Sequence, residues 1–217
     1  MRSRVKVSLV LVAAFFIFVL SCMRIWKVNH SYNVEHYLPS TKTYPAGSNV
    51  PLPSEMYYFD VNDLTGYHLQ VTGTEIIRTE DYLKQHGASF KDLQEISQKP
   101  DVDYYKYGLV YLVHADFTND KWKEKSDSAV RLDDFLLTGS DYCVSPATDT
   151  LTKLPDVNPE LKGSSSFAIR HNRTFHVDIP YLIDTSTATH MTEKYLTQHR
   201  PKLLIAVYPE EIYLELK

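Results

Sequence analysis

Cysteine is nearly missing from this chain: Cys22 and Cys143 are its only two. Cys22 lies in an apolar amino-terminal segment and Cys143 stands alone in the body, so no disulfide can form within the body and a disulfide-stapled scaffold is excluded. Glycine is scarce as well, seven in 217 residues. No Walker loop, dinucleotide fingerprint or nucleophile elbow occurs, and GSSSF at 163–167 lacks the second glycine such an elbow requires. Acidic residues are absent before Glu35, whereas Arg2, Arg4, Lys6, Arg24 and Lys27 all precede it. The net charge of −4 hides this asymmetry: without those five, 18 basic residues face 27 acidic ones, a balance of −9. An acidic body repels phosphate backbones, so nucleic acid is not an expected partner. Hydrophobic residues at 43% and charged ones at 23% are ordinary globular usage, which fits neither a disordered chain nor a multi-span membrane protein.

The amino-terminal segment is the longest apolar stretch. Residues 5–26 read VKVSLVLVAAFFIFVLSCMRIW, 22 positions interrupted by Lys6, Ser8, Ser21, Cys22 and Arg24. As a helix of about 1.5 Å per residue they reach roughly 33 Å, enough for a bilayer core of about 30 Å. Lys6 and Arg24 can snorkel to the two interfaces and Trp26 suits the headgroup level. The heavier positive charge before the span favours an N-terminus inside and a body outside the cytoplasm. Two alternatives export the body equally: a cleaved signal peptide ending near Ser21, and a lipoprotein anchored at Cys22 within Val-Leu-Ser-Cys. Residues 1–27 thus read as a signal anchor or transmembrane segment. Residues 28–55, holding Pro39, Pro45, Pro51 and Pro53, read as an extended extracytoplasmic tether. Residues 56–217 read as the folded domain.

Within that domain the dominant signal is alternation with period two. In 107–119, Leu109, Tyr111, Val113, Ala115 and Phe117 point one way, and Val110, Leu112, His114 and Asp116 the other. Further strands are expected at 68–77, 131–138, 142–145, 165–170, 174–179, 202–208 and 211–217, the last two forming a terminal hairpin about Pro209. Short helices are expected after Thr79 as cap, ending at Gly87, after a capping box of Ser89 and Asp92, and within 191–198. Seven or eight strands without βαβ alternation predict an all-β fold, an antiparallel sandwich with two or three short helices behind one transmembrane helix.

An anchor, a polar tether, a strand ending VTGTEIIR, the strand YGLVYLVHADFTN, the segment RLDDFLLTGSDY and a closing LLIAVYPEEIYLEL together resemble uncharacterised exported proteins of Gram-positive gut bacteria. Those belong to a domain-of-unknown-function family with an immunoglobulin-like sandwich. The resemblance implies compartment and fold and carries over no catalytic residue.

Chemistry-bearing residues are few and each has a bland reading. Cys143 on an expected strand reads as a small apolar packing group. His114 beside Asp116 on one strand face could orient an imidazole for base catalysis, or simply form a solvated pair. His171 and His176 are five apart and fall on opposite faces of a regular strand, so they do not make a metal pair. His36, His68, His86, His190 and His199 read as loop or helix-end residues. The acidic pairs Asp101/Asp103, Asp133/Asp134 and Glu210/Glu211 match no calcium loop. Sixteen tyrosines are more suggestive, and Tyr104, Tyr105 and Tyr107 are the candidate partner-binding edge. The chain is therefore expected to be a membrane-tethered, non-enzymatic extracytoplasmic domain with no cofactor or metal. Its expected partners are the membrane, through residues 5–26, and an envelope protein, peptide or wall polymer. An envelope hydrolase or transferase with a carboxylate or His-Asp site, and a structural subunit of a membrane complex, are the alternatives.

Overall fold

The structure, a computed structural model, describes residues 19–24, 39–54, 63–97, 108–121 and 129–217. It divides into two units, Met1–Pro39 and Ser40–Lys217. In the first, residues 19–24 are helical. Among the described residues no helix is long and apolar enough to cross a membrane. The rest of the expected span at 5–26 lies outside the described residues.

Among the described residues the second unit is mostly β, with three short α-helices. Its strands are β1 (Ser40–Tyr44), β2 (Asn49–Pro51), β3 (Tyr67–Arg78), β4 (Leu109–Asn119), β5 (Val130–Arg131), β6 (Leu136–Thr138), β7 (Cys143–Val144), β8 (Ser166–Phe167), β9 (Arg173–Ile183), β10 (Lys202–Ala206) and β11 (Glu210–Glu215). Helices α1 (Thr79–Gln85) and α2 (Phe90–Ser97) follow β3, and α3 (Glu193–Gln198) precedes β10. One sheet has the order β1-β11-β10-β6-β7, a second β2-β3-β4-β9, and β5 pairs with β8.

Both larger sheets contribute to one core. Leu69, Val113, Phe117, Ile179 and Tyr181 from the four-stranded sheet are buried in one cluster with Leu137, Leu203, Ile205, Ile212 and Leu214 from the five-stranded sheet. The alternation along β4 explains its central place. Tyr111, Val113, Ala115 and Phe117 enter this core. Val110 and Leu112, on the reverse face, pack in a second cluster with Tyr82 and Leu83 of α1, Leu93 of α2, and Leu151, Leu154 and Val157. The helices therefore cover only one end of the outer face of the four-stranded sheet. His114 and Asp116, further along β4, stay outside that cover.

Four expectations are corrected. The folded unit begins at Ser40 rather than at residue 56: β1 runs parallel to β11 and β2 pairs with β3. Proline misled because it flanks these strands instead of interrupting them. Pro45 accepts from Ser48 N–H at 3.1 Å in a turn with Gly47 at φ +81°, and Pro51 ends an edge strand, where a missing N–H costs least. For the same reason the sheets are not purely antiparallel, since the β1–β11 pair makes the five-stranded sheet mixed. The strand expected over 131–138 is split by a 3-10 turn, Leu132–Asp134, which sends both Leu132 and Phe135 into the core. Thr79 is not a cap: Arg78 holds that position without a side-chain bond, and Thr79 is fully buried. The second helix start follows its signal, with Ser89 N–H donating to Asp92 Oδ2 at 2.7 Å and Asp92 N–H to Ser89 Oγ at 3.4 Å.

Candidate functional site

The open half of the outer face of the four-stranded sheet concentrates the titratable side chains. Register places Asp116 opposite Gln70 and His176, and His114 opposite Gly73 and Asp178. Side chains at opposed positions lie about 4.5–5.5 Å apart at Cβ, closer than residues i and i+2 of one strand. Each histidine therefore meets a carboxylate across the ladder. His114 Nδ1 is 2.6 Å from Asp178 Oδ1 and its Nε2 is 3.6 Å from Glu75 Oε1. His176 Nδ1 is 2.5 Å from Asp116 Oδ1. At the neighbouring end of the sheet, His68 Nε2 is 3.0 Å from Asp120 Oδ2. The expected His114 and Asp116 pair does share a face, but each residue turns to β9 instead.

One element fixes the height of this row. Asn158, in left-handed backbone at φ +54°, gives its side-chain amide to the free edge of β9. Its Nδ2 donates to Asp178 O at 2.7 Å, and Asp178 N–H donates to its Oδ1 at 2.7 Å. Nothing in the sequence pairs these positions, and sequence reasoning missed Asn158 altogether.

A groove of about 680 Å³ adjoins this face, bounded by the α1–α2 turn, α2 and the segment after the 3-10 turn Leu151–Lys153. Asp92, Glu95 and Asp156 line it together with His86, Lys153 and the apolar side chains of Ile96 and Leu154. Burial holds the His86 imidazole below its ordinary value, opposed by Asp156 and Asp178. Its ring lies 4.6 Å from that of Tyr82, whose phenol burial pushes up, with the Asp178 carboxylate adding to the shift. Asp178 is thus felt from the groove as well as from the sheet. Asp92 and Glu95 share one helical face by their spacing, but the sixty residues to Asp156 hid the rest.

Other expected residues fall elsewhere. Cys143 is exposed, not packed: β7 is a two-residue edge strand whose alternation turns Val144 toward the core and Cys143 outward. His68 lies within β3 rather than in a loop. His171 stays in the turn before β9, away from the pairing of His176. Among the described residues no group of three or more His, Cys, Asp or Glu side chains is placed to hold a metal. Asp134 pairs with Arg131 at 3.2 Å, Asp133 accepts from Thr148, and Glu210 and Glu211 accept from Ser40 and Thr41. Tyr104, Tyr105 and Tyr107 lie outside the described residues, as do Asp101 and Asp103. A second exposed cluster was not foreseen: Tyr195 donates its hydroxyl to Asp141 at 2.8 Å, which holds Asp141 below the ordinary carboxylate value, and His190 lies 3.3 Å from Asp141.

The exposed pairs should matter little to folding. His114→Ala and Asp178→Ala are each expected to cost less than about 1 kcal/mol in urea denaturation, the range of solvent-screened ion pairs. A loss several times larger would make the row a structural element of the sheet.

Residues 41–212 match the model of a family described as a domain of unknown function (DUF5028), and the chain belongs to that family. No curated protein matches it. Among solved structures it is similar to a functionally unknown protein from Listeria monocytogenes EGD-e, at 13% identity and a TM-score of 0.38, over 75% of this chain and 87% of that one.

Proposed function

We propose that the chain is a membrane-tethered extracytoplasmic domain that binds a protein, peptide or wall polymer at the cell envelope, and that it is not an enzyme. The observation that carries this reading is the placement of the histidine–carboxylate pairs on an open sheet face. A general base needs a free ring nitrogen in a site that excludes water. Both nitrogens of His114 already face carboxylates, and the His176 side chain is 77% exposed. A broad face of polar side chains suits recognition of a partner surface instead. The tether rests on residues 5–26 and their flanking positive charge. An immunoglobulin-like relationship belongs to the same proposal. Its support is the antiparallel run β6-β10-β11, which corresponds to the C-F-G order of such sandwiches, with β3-β4-β9 corresponding to A-B-E.

The test combines location and capture. Full-length protein should fractionate with membranes, and protease added to intact, wall-stripped cells should remove the body. In-cell cross-linking should then capture a discrete envelope component. A mature N-terminus at Cys22 would replace the spanning anchor with a lipoprotein, and a body protected from external protease would refute the proposed location.

A further inference from the structure

We propose that the open face of the four-stranded sheet and the adjoining groove form one docking surface for a cationic polypeptide segment, with a lysine or arginine side chain entering the groove between Asp156 and Asp92. This rests on the binding reading above and names the chemistry of the partner.

Charge complementarity carries the argument. The outward positions of the open half are His68, Gln70, Thr72 and Glu75 on β3, His114, Asp116 and Thr118 on β4, and Thr174, His176 and Asp178 on β9. None is Lys or Arg. The groove continues the same sign with three carboxylates, and its one lysine, Lys153, already lies 3.7 Å from Asp149. Its apolar floor of Ile96 and Leu154 fits the methylene stem of a long basic side chain, whose head would reach the acidic rim. The two parts meet at Asn158, two residues from Asp156 of the groove, whose side-chain amide bonds both backbone groups of Asp178 at 2.7 Å.

An anionic polymer or a phosphate-bearing surface would meet repulsion along the whole strip.

The test uses the full chain in neutral detergent micelles with fluorescein-labelled decalysine, read by fluorescence anisotropy. The triple variant Asp116→Asn, Asp156→Asn, Asp178→Asn should bind about tenfold more weakly, the sum of three partly screened charge contacts. A control triple, Glu193→Gln, Glu210→Gln, Glu211→Gln, removes equal charge from α3 and β11 and should bind like the wild type. Equal weakening in both triples means diffuse attraction to an acidic protein and overturns the proposal. So does tighter binding of polyphosphate than of decalysine. Should the first triple fail to fold by circular dichroism, amide chemical-shift changes in the wild type decide: decalysine must perturb 86–96, 114–116 and 176–178, and perturbation confined elsewhere refutes the site. Cross-linking capture of a partner without decalysine binding sinks this inference alone, whereas failure of capture removes the reading beneath it.

Discussion

A chain ending at Glu210 is expected to lose the fold entirely. Strand β11 lies between β1 and β10, with registers Ser40↔Glu210 to Tyr44↔Leu214 on one side and Lys202↔Glu215 to Ala206↔Ile212 on the other. Ile212, Leu214 and Leu216 are all buried. Burying one such side chain is worth roughly 1.5–3 kcal/mol, so three account for much of the about 5–15 kcal/mol that stabilises a domain. The deletion also strands the ladder groups of β10, removes the only strand partner of β1 among the described residues, and takes away the Lys217 carbonyl that accepts from Thr74 at 2.6 Å. The truncated protein should show no cooperative urea transition and no near-ultraviolet circular dichroism. A transition at the full-length midpoint would show that β11 is dispensable.

What could be read beforehand divides along a physical line. Alternation along β4 was legible because both faces of one strand are judged within a dozen residues, and the apolar set Tyr111, Val113, Ala115 and Phe117 does enter the core. The β10–β11 hairpin and the capping box of α2 were legible for the same local reason. Pairings across the chain were not. β1 joins its sheet through β11, some 170 residues away, and its flanking prolines spoke for a tether. The His114 row showed that a histidine and a carboxylate share a face. Which histidine meets which carboxylate depends on the β4–β9 register, and no pattern within either strand encodes that register. Cys143 was misread because edge position is a property of the sheet, not of the strand that carries it. The groove draws on α2 and on the segment about Asp156, and no local signal links the two.

The second large effect is expected at Asn158, where fold and candidate surface meet. Among the described residues β9 is an edge strand, and the backbone of Asp178 has no strand partner on its outer side. The Asn158 side-chain amide replaces one, matching donor to carbonyl and carbonyl to donor at 2.7 Å each, and it does so while nearly buried at 8% exposure. Asn158→Ala removes both bonds and leaves a half-buried N–H and C=O, at about 1–3 kcal/mol for each group. It also places a Cβ residue without a compensating polar side chain at φ +54°, a left-handed conformation costing about 1–2 kcal/mol for ordinary residues. Together these predict a loss of about 3–8 kcal/mol in urea denaturation. Asn158→Gly separates the two causes, because glycine tolerates the backbone but cannot bridge. Its loss should be smaller than that of Asn158→Ala by about 1 kcal/mol. Equal losses would assign the whole effect to the bridge, and a loss under about 1 kcal/mol for both would show that water replaces the amide at this edge. In the stable fraction of either variant the Asp178 amide resonance should shift, because the rung that sets its carboxylate against His114 is gone.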